Sequence, residues 1–417
     1  MTKSHLDPME TQAARRRLLR LGAAVGVGAA LGGVTRFALA ATSPATVSLP
    51  FANGMRRMAT FPQKRPLILL TSRPPQLETP FKTFNEGLFT PNDAFFVRYH
   101  WSGIPTDIDP ETYRLEIKGA VDKPMSLSLA EIKKMGEVTL AAAHQCSGNS
   151  RGFFDPRVNG GESGNGAMGN AKWTGVPLKN ILEKAGLKAG AVQLAFNGLD
   201  HPPLGDGPDF IKALDVDHAM DGEVMLAWAM NGADLPMLNG YPLRLVVPGY
   251  YGTYWVKHLS DITVLDKTLD NFWMSTAYRI PDNACACVDP GGKMTKSRPI
   301  GRFAIRSFIT SVLDGDKIPA GKATVLRGIA FDGGYGLTAV DVSADGGRSW
   351  HRAKLGEDHG KYSFREWTLE FKPAKAGPLE LKVRAFNSIG QTQPTEALWN
   401  PSGYMRNVVE TTHVTAV

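Results

Sequence analysis

At 417 residues the chain is long enough for two or three domains. A hydrophobic fraction of 43% and a charged fraction of 21% describe a globular protein with a sizeable core and exclude a disordered chain. The formal net charge of +7 is concentrated at the N-terminus. Residues 1–40 carry six Lys/Arg and two Asp/Glu, and the 41 basic and 38 acidic side chains that remain give no electrostatic case for nucleic-acid binding.

The first element is not part of the fold. Arg15-Arg16-Arg17-Leu18-Leu19-Arg20 precedes a short Gly/Ala-rich apolar run from Leu21 to Val34, and Ala38-Leu39-Ala40 reads as a cleavage site. The run is too short to span a bilayer, so no membrane span is expected in the mature protein. The pattern resembles a twin-arginine signal, which exports folded, cofactor-loaded proteins to the periplasm; a general secretory signal or an uncleaved anchor is the alternative. Residues 41–90 are Pro-rich and read as an extended arm. From residue 91 to 298 the signals are mixed α+β. Phe95 to His100 is an aromatic strand that places Arg98 and His100 on one face, and Tyr113–Lys118 alternates as a half-buried strand. Ser128-Leu-Ala-Glu131 opens a short helix with a capping box, Pro177–Ala185 is a helix stopped at Gly186, and Tyr241–Pro248 is a strand. From residue 299 to 417 β-branched runs recur about every ten residues between Gly/Asp turns, which predicts an all-β sandwich of immunoglobulin type.

Three cysteines make no disulfide framework. Cys285 and Cys287 form a C-x-C pair that would close only a strained ring, so no staple is expected there. There is no C-x-x-C-H, hence no covalent haem is expected on this chain. Cys146 stands alone in His144-Gln-Cys146-Ser-Gly-Asn-Ser-Arg151. A single thiolate among small polar residues, with a fixed positive charge nearby, suits a sulfur-seeking metal. Taken singly, a lone cysteine is more often a small buried hydrophobe, and a histidine, arginine or tyrosine in a strand is more often structural. Together, Cys146, Arg98, His100, Arg151, Arg244, Tyr278 and the glycine-rich turn Pro248-Gly249-Tyr-Tyr-Gly252 argue for one anion site.

These segments resemble the sulfite oxidase family of molybdenum enzymes, closest to bacterial exported sulfite dehydrogenases. The motifs are Phe-Phe-Val-Arg98-Tyr-His100, His-Gln-Cys146-Ser-Gly-Asn-Ser-Arg151, Ala-Trp-Ala-Met-Asn-Gly232, Gly-Tyr-Pro-Leu-Arg244-Leu-Val-Val-Pro-Gly249, Val-Lys257, and in the second half Asp-Gly-Gly-Arg-Ser-Trp350 and Leu398-Trp-Asn-Pro401. The resemblance implies an α+β molybdopterin domain followed by an immunoglobulin-like dimerisation domain. It implies molybdenum on a single molybdopterin, with Cys146 as the metal ligand. Arg98, Arg151 and Tyr278 would surround the substrate oxyanion. Phe96, His100, Asp200, Asn239, Arg244 and Lys257 would hold the pterin and its phosphate. The implied reaction is oxidation of sulfite to sulfate, with electrons leaving singly to an external c-type cytochrome, and the implied assembly is a homodimer or a heterodimer with a cytochrome subunit. The alternatives are a sulfur-dehydrogenase subunit of a thiosulfate-oxidising complex, another exported molybdopterin oxidoreductase, or a non-catalytic binding protein on the same fold. Two places depart from the family pattern: Ser402 stands where vertebrate and plant members carry arginine, with Arg406 close by, and the tryptophan those members keep is absent between Gly160 and Asn170.

Overall fold

Period-two alternation and frequent Gly/Asp turns make this a molecule of sheets, and helices are confined to short connections. A computed structural model describes residues 45–417; the expected signal peptide lies outside the described residues. The Pro-rich segment is more than an arm. Thr46–Ser48, Met55–Ala59, Leu67–Ser72, Pro75–Glu78 and Val97–Arg98 pair antiparallel, in that order, into a five-stranded sheet. Its prolines sit in the turns and at strand ends, where no ladder donor is lost. Leu67, Leu77, Val97 and Tyr99 form a small core of its own.

Two further sheets follow. One runs Lys212–Asp215, Gln193–Gly198, Leu259–Leu265, Arg114–Gly119, Met125–Ser128, and only the Leu259–Leu265/Arg114–Gly119 pair is parallel. The other runs Ala233–Asp234, Met225–Met230, Met168–Pro177, Val138–Gln145, with Arg244–Val246 also paired to Met225–Met230. The helix Leu129–Lys133 starts on the expected box: Ser128 Oγ accepts from Glu131 N at 3.3 Å and Glu131 Oε2 accepts from Ser128 N at 2.8 Å. The helix Leu178–Ala185 buries Leu178, Ile181, Leu182 and Ala185 on one stripe and ends at Gly186, φ 69°, a conformation that favours glycine.

The C-terminal half is a sandwich of a four-stranded sheet (Arg306–Ile309, Thr324–Phe331, Arg365–Phe371, Lys354–Leu355) and a five-stranded one (Lys317–Ile318, Glu410–Ala416, Gly377–Asn387, Leu337–Ser343, His351–Arg352). Leu326, Val340, Val342, Trp367, Leu381 and Val383 fill the space between them. Phe308, Ile329, Phe331, Tyr362 and Phe364 face the other way and join the core of the N-terminal half. Backbone bonds Ala143 N→Tyr362 O (2.8 Å) and Phe303 N→Gly249 O (2.8 Å) tie the halves together.

The Cys285–Cys287 pair, not expected as a staple, is a disulfide. Ala286 takes φ 49°, and the two Cα atoms lie 5.1 Å apart, within reach of a bridge. Asn283 Nδ2 holds the loop by donating to Cys287 O at 2.8 Å.

Candidate active site around Cys146

The strand Val138–Gln145 grows more buried along its length and delivers Cys146 at its C-terminal end. The following loop is laced in place. Cys146 N donates to Ala167 O (2.9 Å), Asn149 N to Cys146 O (3.0 Å), and Ser163 Oγ to Gly148 O (2.9 Å). Ser150 adopts φ 70° and turns the chain into the short helix Arg151–Phe153. Cys146 is a free, half-buried thiol in the wall shared by two cavities.

The first cavity is bounded by Arg98, Cys146, Arg151, Tyr278 and Tyr404. Arg151 lies 5.1 Å over the Tyr404 ring, and Tyr404 stacks on Tyr278 at 5.3 Å with 7° between planes. Arg151 Nη2 donates to Ser402 O at 3.4 Å, while its buried Nε has no partner. Arg406 does not reach this cavity: it pairs with Glu410 at 2.6 Å and lies over Phe153. Gly160 lies against the guanidinium, and a Cβ there would meet Arg151 Nη1 at 2.5 Å. Tyr278 takes φ 56° and bonds through its hydroxyl to His100 Nε2. Burial raises the Tyr278 phenol and drives His100 well below its usual range, so both are neutral near pH 7. With Nε2 protonated, His100 donates to Tyr278 and leaves the phenol proton free to point into the cavity.

The second cavity is lined by His100, His144, Ser147, Asn239, Arg244, Thr253 and Lys257, with Phe96, Arg98, Cys146 and Tyr278 common to both. Arg244 is 1% exposed. It donates only to backbone carbonyls, Asn239 O at 2.8 Å and Trp255 O at 3.3 Å, and lies over the Trp173 ring at 5.0 Å. Burial lowers it to about 9. Lys257 donates to Arg98 O at 2.8 Å and is lowered to about 8 by burial, which Asp200 partly opposes. Asp200 itself lines neither cavity; it is buried, and its charge is felt at Lys257. Asn239 is held by Lys64 and by its own bond to Phe96 O (3.1 Å). Gly252 is required because a Cβ would meet His144 Nε2 at 2.5 Å.

A buried polar atom without a partner is expensive, and folded proteins leave few. Here His144 Nδ1, Ser147 Oγ, Arg244 Nε and Thr253 Oγ1 are all buried around one cavity without a partner among the described residues. Unspent donors beside Arg244 and Lys257 fit a ligand carrying several acceptors and negative charge, as the phosphate and polar rings of a pterin do. Among the described residues no group of three His, Cys, Asp or Glu side chains could hold a bare metal ion. A metal at Cys146 would therefore take its other ligands from outside the protein, which is what a pterin dithiolene provides.

The expected residues converge except Asp200. Sequence reasoning missed Ser147, Thr253 and Tyr404 as wall residues and Lys64 as the support of Asn239. Thr253 directly follows the glycine-rich turn already singled out, whereas Tyr404 arrives from the far C-terminal segment, where Met405 N donates to Ser147 O at 3.3 Å.

The oxidoreductase molybdopterin binding domain family matches residues 101–273, and the Mo-co oxidoreductase dimerisation domain family matches residues 297–416. Mitochondrial sulfite oxidase of Rattus norvegicus is 32% identical over 90% of this chain and 69% of its own length; sulfite oxidase of Gallus gallus is 32% identical over 82% of this chain and 77% of its own. The chain thus spans about two thirds of the length of the mammalian relatives. The sulfane dehydrogenase SoxCD of Paracoccus pantotrophus shares the fold, with a TM-score of 0.69, 23% identity, and coverage of 98% of this chain and 97% of that one. The chain belongs to the sulfite oxidase family of molybdopterin-binding oxidoreductases.

Proposed function

We propose that this protein oxidises sulfite to sulfate at a molybdenum–pterin centre and passes the two electrons singly to a separate c-type cytochrome. The observation that carries the reading is the position of Cys146, in the wall between an arginine-lined cavity and a cavity of unspent buried donors. When bound, the molybdenum–pterin group supplies oxygen transfer and holds the two electrons. Cys146 would be its protein ligand, and Arg244, Lys257, His144, Ser147 and Thr253 would hold its pterin and phosphate.

The other steps belong to the chain's own side chains. Arg98 and Arg151 attract and orient a small dianion, for which guanidinium is well matched in shape and charge. Tyr278 donates its phenol proton to an oxygen of the substrate, and His100 keeps that phenol fixed. The Tyr404–Arg151 stack excludes bulk water from one side and strengthens the charge interactions within. The balance is sulfite plus water to sulfate, two protons and two electrons. The same residues also suit a sulfane-sulfur substrate, a second reading favoured by the fold shared with the sulfane dehydrogenase along nearly the whole chain.

The periplasm and export by the twin-arginine route belong to the same proposal, on the strength of the N-terminal sequence. A paired assembly is proposed from the match to the dimerisation family. Among the described residues no helix is long and apolar enough to cross a membrane. The test is sulfite-dependent reduction of cytochrome c by protein matured in a cofactor-competent host. Reduction with sulfite, and none with a sulfane-sulfur donor, supports the first reading; the reverse supports the second.

A further inference from the structure

Outside the first cavity lies a broader, shallower groove built by the N-terminal sheet. The two share Leu70 and Gly161 in their walls. Arg56, Arg57, Arg73 and Arg157 line the groove against a single carboxylate, Glu162, a surplus of three positive charges. Glu162 is buried and does the positioning. It pairs with Arg157 Nε at 2.5 Å and Arg56 at 3.7 Å, and Asn53 donates to it at 2.9 Å. Arg57 and Arg73 are exposed and enter no ion pair among the described residues. Like charges gathered on one concave surface repel one another and add nothing to folding. A recess of one sign does focus the field, and such focusing raises the capture rate of an opposite charge by roughly 10–10³-fold, less as salt rises.

We infer that this groove is an anion-collecting vestibule in which Arg57, Arg73 and Arg157 capture small sulfur oxyanions and deliver them past Gly161 to Arg98 and Arg151. The inference deepens the proposed function and rests on its reading of the inner cavity. A small ion is favoured over an acidic protein surface because the groove is a recess that shares the Leu70 and Gly161 wall with the inner cavity, and two of its four guanidinium groups are anchored by a carboxylate within it.

The test is the double variant Arg57→Gln/Arg73→Gln, which leaves the Glu162 pairs intact. Oxidised holoenzyme is mixed rapidly with sulfite in the absence of any electron acceptor, and the second-order rate constant for its reduction is followed against sodium chloride. The wild type should slow by roughly tenfold between low and high salt; the variant should start several-fold slower and respond less to salt, the loss falling on the second-order constant rather than on the rate at saturating sulfite. Equilibrium dialysis with radiolabelled sulfate at low ionic strength gives a readout free of chemistry, and the variant should bind less. Equal rate constants, equal salt slopes and equal sulfate binding would overturn the vestibule. So would a variant impaired only in cytochrome reduction, because the groove would then dock the acceptor. A wild type that sulfite does not reduce, yet that binds sulfate through these arginines, would keep the vestibule and remove the substrate assignment.

Discussion

Arg244 and Arg306 are equally buried, each 1% exposed, but only one of them has a counter-charge among the described residues. Arg306, in the first strand of the sandwich, meets Glu410 at 2.8 Å and Ser150 Oγ at 3.0 Å, so the protein supplies its own counter-charge at the junction of the two halves. Arg244 has no carboxylate partner among the described residues, and burial pulls it down to about 9. The difference separates a cation that the fold neutralises from one that it leaves without a counter-charge among the described residues. Desolvating an arginine without a counter-ion costs several kcal/mol, which is compensated only if an anion arrives.

Cys146→Ser should have the largest effect. A hydroxyl is a poor ligand for a soft metal at neutral pH, so sulfite turnover should fall to background while the fold, read by circular dichroism, stays intact. Next come the two arginines. Arg306→Met should destabilise by about 1.5–3 kcal/mol in chemical denaturation, because Glu410 loses one of its two cations and keeps only Arg406. Arg244→Met should leave the apoprotein as stable or stabilise it by about 1–4 kcal/mol, while pterin retention is lost. If both variants destabilise equally, the distinction between the two sites is wrong.

Arg98→Gln should lower kcat/KM for sulfite by about 2–3 kcal/mol, carried more by KM than by kcat. Unchanged sulfite kinetics would remove Arg98 from the substrate cavity. The smallest effect concerns Lys212, a buried cation that, like Arg244, has no carboxylate partner among the described residues. It donates to Trp273 O at 2.6 Å and lies 5.3 Å from the Tyr278 ring. Burial lowers it from 10.5 to about 7. Between those values the unfolded chain holds a proton that the folded chain has released, so stability rises with pH through that window. The Lys212→Met apoprotein lacks this term; between pH 7 and 9 wild type should gain about 1–2 kcal/mol on it. A constant difference would show that the lysine is not desolvated.

Much of this was legible in the sequence where the signal is local. The capping box at Ser128 and Glu131, the stop at Gly186, and the sandwich strands follow from residues a few positions apart. The Cys146 loop was legible because its residue types are unusual together. The N-terminal sheet was not, since its prolines mask strands that pair through turns. Tyr404 was also hidden: its stacking on Tyr278 depends on how the C-terminal segment returns across the cavity, which no periodicity encodes. Asp200 was expected among the cofactor contacts; it is buried outside both cavity walls and influences Lys257 through its charge.

The most direct measurement is a combined determination of molybdenum and pterin in folded wild-type protein and in Arg244→Met, both matured in a cofactor-competent host. About one molybdenum and one pterin per wild-type chain, with pterin lost from Arg244→Met, is the expected result. A correctly folded wild type carrying neither, or an Arg244→Met variant as fully loaded as wild type, would contradict the assignment of that buried guanidinium to a ligand.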